Sequence, residues 1–505
     1  MSNHLFDAMR KAAPGDAPFI RIDSIRTWTY DDAFALSGRL ASAMDTLGIR
    51  PGDRVAVQVE KSAEALILYL ACIRTGAVYL PLNTAYTLAE LDYFIGDAEP
   101  RLVVVASNAR GGIEEIAKLH GAVVETLDAD GTGSLLDLAR DEPTDFIDAS
   151  RSADDLAAIL YTSGTTGRSK GAMLTHGNLL SNALTLRDYW RVTADDRLIH
   201  ALPIFHTHGL FVATNVTLLA GASMFLLSKF DADEVVSLMP QATMLMGVPT
   251  FYVRLLQSAS LDKEAVANIR LFISGSAPLL AETHTEFQAR TGHAILERYG
   301  MTETNMNTSN PYEGKRIAGT VGFPLPDVTV RVTDPATGLA LPPEQTGMIE
   351  IKGPNVFKGY WRMPEKTAAE FTADGFFFIS GDLGKIDRDG YVHIVGRGKD
   401  LVISGGYNIY PKEVEGEIDQ IEGVVESAVI GLPHSDFGEG VTAIVVRKPG
   451  AVLDEKAIVS ALQDRLARYK QPKRIIFVED LPRNTMGKVQ KNILRQQYAD
   501  LYTKT

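Results

Sequence analysis

The stretches DRVAVQV (53–59), AVYLPL (77–82) and RLVVVAS (101–107) are short, rich in β-branched residues and bounded by turn formers. Runs this apolar on both alternations predict strands buried on both faces. Between them, SAEALILYLACIRTG and LAELDYFIGDA repeat apolar residues at three and four positions, which predicts helices. Strand–helix–strand alternation dictates parallel sheets covered by helices. DADEVVSLMPQ followed by ATMLMGVP continues the pattern. From about residue 315, Gly and Pro separate short alternating runs, and the expectation changes to antiparallel strands forming a small β-barrel-like subdomain. After GRGKDLVISGGYNIYP (396–411) a fresh α/β pattern begins, with PKEVEGEIDQI and EKAIVSALQDRLARYK as helices and VVESAVIGL and VTAIVVRK as strands. The expected fold class is therefore α/β: a large N-terminal domain, residues 1–398, and a small α+β C-terminal domain, residues 399–505. Gly396, Gly398, Gly405 and Gly406 supply backbone freedom near the boundary.

With 505 residues the chain is too long for one hydrophobic core. A net charge of −13 argues against a nucleic-acid binder, which needs a basic face, but leaves room for a local basic pocket. The single cysteine, Cys72, lies in the apolar run LILYLACI, so a packed thiol in a reducing compartment is expected and an internal disulfide is excluded. The opening MSNHLFDAMRKAAPGD carries Asp7, Arg10 and Lys11 and has no signal-peptide core. The longest apolar stretch, 65–73, is too short to span a bilayer. A cytoplasmic protein without a membrane partner is the expectation.

YTSGTTGRSKG (161–171) crowds hydroxyls, glycines and cations between two apolar strands, DLAAILYT and KGAMLTH. It departs from the P-loop template, because the lysine does not follow GxxxxG directly and no helix begins there. The N–H and O–H groups of such a loop can wrap phosphate oxygens, with Arg168 and Lys170 adding charge. A plain surface loop has the same composition. ERYGMTET (297–304) presents Thr302 and Glu303 at a turn, where one carboxylate can hold Mg²⁺ that keeps waters and substrate oxygens; an exposed turn glutamate reads the same way. In ISGDLGKIDRDGYVHIVGRGKD, Asp382 and Arg397 suit the hydroxyls of a ribose, while Asp387 and Asp389 belong to an ordinary hairpin turn. PRNTMGKVQK (482–491) places Lys488 in a glycine-containing loop.

Taken in order and spacing, these motifs resemble the adenylate-forming enzymes: acyl-CoA synthetases, carrier-protein adenylation domains and luciferase-like proteins. The resemblance spans nearly the whole chain and implies ATP, Mg²⁺ and CoA as ligands. It implies that Thr162, Ser163, Gly164, Thr165, Thr166, Gly167 and Lys170 cradle the β- and γ-phosphates, with Thr165 and Glu303 at the metal. Gly275, Ser276 and Ala277 of SGSAPL, together with Arg298, Tyr299, Gly300 and Thr302, then serve the nucleotide, and Asp382 and Arg397 its ribose. Lys488 matches the lysine that bridges the substrate carboxylate and the α-phosphate. A carboxylate first displaces pyrophosphate, and a thiol then attacks the acyl-adenylate. Between the steps the C-terminal domain swings at Lys399 and presents Ser404, Gly405 and Gly406 to CoA.

By the same resemblance ALPIFHTHGLF and MGVPTFYVRLL line the acyl pocket, with His206 and Ser274 in its wall. His208 has no partners at zinc-ligand spacing. Arg254, three positions after Phe251, stands at the border of an apolar helical face. It reads either as a snorkelling surface residue or as a guanidinium paired with a second substrate carboxylate. MGVPTFYVRL with ERYGMTETNMNTS resembles the malonyl-CoA synthetases, which implies malonate as substrate, Arg254 on its distal carboxylate and Met306 limiting its size. A medium-chain fatty or aryl acyl-CoA ligase is the alternative. A non-enzymatic nucleotide-binding homologue would be expected to lack Lys488, Glu303 or Asp382. Lys488 is also a candidate for a lysine acetyltransferase and deacetylase, since acetylation removes its charge. Substitution of Lys399 by proline is expected to slow thioester formation more than adenylation, which single-turnover assays of the two half-reactions distinguish.

Overall fold

The computed structural model describes residues 2–22, 26–162, 169–404, 407–434, 436–463, 465–484 and 487–502. The predicted apolar runs become the parallel strands Arg54–Gln58, Val78–Pro81 and Leu102–Val105 of a seven-stranded sheet. Helices Ala63–Thr75 and Leu88–Ala98 connect them as the periodicity dictates. Ser62 and Thr87 cap those helices through their hydroxyls, and Gly76 ends the first in the left-handed conformation. The far side of this sheet is antiparallel: Leu156–Thr162 pairs with Lys170–Thr175, and Gly359–Tyr360 pairs with the latter.

A nine-stranded sheet holds the parallel strands Arg197–His200, Met244–Gly247, Leu271–Ser274 and Leu296–Met301 side by side. Their carboxyl ends lead into the segments containing His206, Thr250, Gly275 and Thr302. Clefts at the carboxyl ends of parallel strands are where open α/β sheets bind ligands, because no side chain of the sheet fills them.

Residues Thr329–Thr333, Gly347–Lys352, Phe378–Ile386 and Val392–Arg397 form an antiparallel sheet of four strands. It is open, not the barrel-like subdomain expected: among the described residues the first strand does not pair with the last, and so few strands cannot close. The remaining sheet, built by Val402–Ser404, Tyr407–Ile409, Val424–His434, Gly438–Arg447 and Arg474–Val478, has its own hydrophobic clusters on each face. Those clusters contain no residue before Val402, and the clusters of the larger body contain none after Val392 among buried side chains. A short turn, Gly398–Asp400, joins the two bodies. Among the described residues no helix is long and apolar enough to cross a membrane.

Candidate active site

The turn between strands Leu296–Met301 and Asn305–Ser309 holds Thr302 and Glu303. Glu303 is 7% exposed, so its carboxylate is buried rather than the exposed turn glutamate its sequence context also allowed. Tyr360 donates its hydroxyl to Glu303 Oε1 at 2.9 Å, and Phe357 donates its N–H to the Glu303 carbonyl at 2.7 Å. Burial raises the Glu303 carboxyl, and hydrogen bonds from its own backbone and from Tyr360, with Lys170 and Arg397 nearby, oppose the rise. Among the described residues no cluster of three or more His, Cys, Asp or Glu side chains could hold a metal. A lone carboxylate fits Mg²⁺ when substrate phosphates and waters supply the remaining ligands.

Lys170 opens the strand that leaves the predicted phosphate loop; its Nζ reaches Glu370 Oε1 at 3.3 Å and lies 4.2 Å from the Tyr360 ring centroid. Thr162 closes the preceding strand and donates its hydroxyl to the Lys170 carbonyl at 3.4 Å. Ser163, Gly164, Thr165, Thr166, Gly167 and Arg168 lie outside the described residues, as do Gly405 and Gly406. Ser404 is buried in the C-terminal sheet, where it pairs with Tyr407 and Gly438.

Asp382 and Arg397 face each other across a hairpin, joined by a 2.7 Å ion pair. Tyr299 donates its hydroxyl to the other Asp382 oxygen. Among the described residues each carboxylate oxygen has one side-chain partner, which leaves lone pairs able to accept from a ligand hydroxyl.

Lys488 reaches this group from the C-terminal body. Its N–H donates to Asn484 Oδ1 at 2.9 Å, and Arg483 Nη1 donates to the Gly487 carbonyl at 2.6 Å. A Cβ on Gly487, whose φ is +74°, would stand 3.3 Å from Thr250 Cγ2, so this loop seats against the larger body. Lys488 is reachable by solvent within the cleft although protein surrounds it. Its pKa falls to about 8, first from lost hydration and then from Arg397 and Arg298, opposed by Asp382 and Glu303.

Two cations act on His206: lost hydration first, then Lys488 and Arg298, bring it to about 3, so it is neutral at pH 7. Its neighbours Thr207 and His208 are buried. The Ser276 hydroxyl is 3.3 Å from His208 Nδ1, and Ser276 holds the left-handed φ of +72°, a strained conformation for a side-chain-bearing residue. Ala277 follows it, half-buried.

The structure separates the two arginines. Helix Pro249–Gln257 buries Phe251, Tyr252 and Leu255 and leaves Val253 and Arg254 exposed. Arg254 thus lies beside the helix's apolar stripe and not within it. Arg298, expected at the nucleotide, is the buried one of the two: it is 3% exposed and lies against Gly275, where a Cβ would approach its Cζ to 2.4 Å. Arg298 Nε and Nη2, Ser274 Oγ, Thr207 Oγ1 and His208 Nε2 are all buried without a hydrogen-bond partner among the described residues. Burial lowers Arg298 to about 9. Met306, also buried, brings its Cε to 2.5 Å from where a Cβ on Gly300 would be. Thr207 and Tyr360 were not evident from sequence; a hydroxyl between two histidines in an otherwise apolar run was the available signal for the first.

Residues 6–361 match the AMP-binding enzyme family, and residues 413–488 match the AMP-binding enzyme C-terminal domain. The chain belongs to the AMP-binding enzyme family. It is 63% identical to MatB from Rhodopseudomonas palustris over 99% of this chain and 100% of that one, with a TM-score of 0.98 to the ATP-bound structure. Against the apo structure of MatB the TM-score is 0.87. A malonate–CoA ligase of Arabidopsis thaliana is 35% identical over 91% of this chain and 80% of its own length. A feruloyl-CoA synthase of an Amycolatopsis species is 37% identical over 93% and 94%. The expected α/β fold class and the adenylate-forming family both hold.

If the Lys488 ammonium is needed for adenylation, kcat/KM for pyrophosphate release falls as pH rises through about 8, because the lowered pKa loses the charged form there. Lys488→Arg, charged throughout, is expected to abolish that limb whatever its rate.

Proposed function

We propose that this chain is an ATP-dependent malonate–CoA ligase, converting malonate, ATP and CoA to malonyl-CoA, AMP and pyrophosphate through a malonyl-adenylate. The observation that carries the reading is Arg298: a buried guanidinium, beside the unpaired Ser274, Thr207 and His208 groups, with no carboxylate partner among the described residues. A buried cation without an anion is costly, and a substrate that supplies one removes the cost. A monocarboxylate spends its only charge at the α-phosphate; a dicarboxylate has a second for Arg298. The malonate–CoA ligase among the relatives supports this, whereas the feruloyl-CoA synthase acts on a larger acid whose chemistry gives Arg298 no second carboxylate.

Lys488 feels the charges of Arg397, Asp382, Glu303 and Arg298, and His206 those of Lys488 and Arg298, so in the adenylation step the reacting carboxylate meets Lys488 while the distal one is held by Arg298. Substrate carboxylates are ionised at pH 7, so no general base is required. Tyr299, Asp382 and Arg397 fix the nucleoside, Gly275 and Ser276 border it, and Lys170 offsets triphosphate charge. Mg²⁺ on Glu303, when bound, neutralises phosphate charge further. Met306 limits the acid's bulk, with methylmalonate a poorer substrate. For the thiol step the C-terminal body turns about Lys399, withdrawing Lys488 and bringing Ser404, Gly405 and Gly406 toward CoA; the separate cores on either side of that turn support such a motion. The same reading places the enzyme in the cytoplasm and makes Lys488 a target for reversible acetylation, which would stop pyrophosphate release by removing the charge.

The test is pyrophosphate release with acetate, propionate, malonate, methylmalonate, octanoate, benzoate and ferulate, for wild type and Arg298→Met. Malonate is expected to lead, and the variant to lose it by about 10²- to 10³-fold with the monocarboxylates spared. A monocarboxylate in first place, or an unaffected variant, refutes the assignment.

A further inference from the structure

We propose that Tyr360 is a positioning residue that sets the Glu303 carboxylate and the Lys170 ammonium for the magnesium-bound triphosphate. Its two chemical faces are both in use. The hydroxyl donates to Glu303 Oε1 at 2.9 Å, and the ring face lies 4.2 Å from Lys170 Nζ. A phenol is suited to both, since its O–H is a donor and its ring face attracts a cation. The side chain is 2% exposed, so neither contact competes with bulk water.

The backbone around Tyr360 is tied to the same two groups. Gly359–Tyr360 pairs with the strand that begins at Lys170, Tyr360 lying opposite Ala172. The Trp361 N–H donates to the Gly171 carbonyl at 2.7 Å, and the Tyr360 N–H donates to Thr367 Oγ1 at 2.8 Å. On the other side, Asn355 donates to the Thr304 carbonyl at 2.6 Å and to that of Met306 at 3.2 Å, pinning the turn that carries Glu303. The segment from Asn355 to Trp361 thus spans from the metal-site turn to the phosphate-loop strand, with Tyr360 the side chain that touches a functional group of each.

A partner at Oε1 orients the carboxylate so that Oε2 is directed elsewhere, and partners of this kind commonly change metal affinity by about 10- to 100-fold. Lys170 has a further contact, Glu370, which it shares with Lys366 at 2.7 Å. Phosphate oxygens compete with that carboxylate for Lys170, whereas the uncharged ring retains the cation after Glu370 lets go.

The proposal rests on the ATP-and-magnesium reading of the site and not on the identity of the acid. Calorimetric titration of ATP with Mg²⁺ and with EDTA tests it in wild type, Tyr360→Phe and Tyr360→Leu. Tyr360→Phe is expected to bind metal-free ATP as wild type does but to lose about tenfold of the affinity gained from Mg²⁺. Tyr360→Leu, lacking the ring too, is expected to weaken metal-free ATP by a further factor of about 2 to 5. The KM for malonate stays unchanged in both. A full Mg²⁺ gain in Tyr360→Phe overturns the proposal, and so does an equal loss with and without the metal in both variants. Wild type that binds no ATP in either condition refutes the nucleotide reading itself.

Discussion

Bringing a carboxylate onto the α-phosphate of ATP sets one anion against a polyanion, and the arrangement of this chain follows from that repulsion. Lys170, Arg298, Arg397 and Lys488 come from separate elements and converge on one cleft around the carboxylates Glu303 and Asp382. Arg397 is neutralised by its ion pair. Arg298 and Lys488 have no ion pair among the described residues, and both have lowered pKa values whose first cause is lost hydration. A buried cation without a paired anion, as Arg298 is, favours an anionic ligand, because its arrival supplies the missing charge. The cost of keeping them there is borne by the large cores on either side.

The scaffold divides this work between two bodies with separate cores. The parallel strands end at His200, Gly247 and Ser274, and the groups proposed for the acyl pocket stand on the segments immediately beyond or, for Arg298, on the adjoining strand. Those groups are as rigid as the sheet. Lys488 belongs to a body with its own cores, and it meets the cleft through a loop seated on Thr250. On the proposed reading, a charge required only in the first half-reaction is thereby carried on the part that leaves.

Local periodicity made much of this legible. Leu88–Ala98 is helical over the predicted run, and the apolar strands appear where β-branched runs meet turn residues. The motifs around Glu303, Asp382 and Lys488 were legible because their residue types are unusual in such contexts. What the sequence does not carry is direction. Arg254 sits at the edge of an apolar stripe, and one helical position decides whether it faces pocket or solvent. Arg298 is made an interior cation by Gly275, the residue just beyond the neighbouring strand, whose missing side chain leaves it room. The helix predicted over EKAIVSALQDRLARYK is confined to Glu455–Leu462, since the following chain turns to bury Leu466 and to bring Lys470 to Glu413. Tyr360 was equally invisible, because its contacts join residues 57 and 190 positions away.

The central claim is that a second substrate carboxylate completes Arg298. A crystal structure of the protein with malonate and a non-hydrolysable ATP analogue tests it most directly. The account predicts one carboxylate within hydrogen-bonding distance of the Arg298 guanidinium and the other at Lys488 beside the α-phosphate. A malonate bound with its distal carboxylate away from Arg298, leaving that guanidinium unpaired, would contradict it.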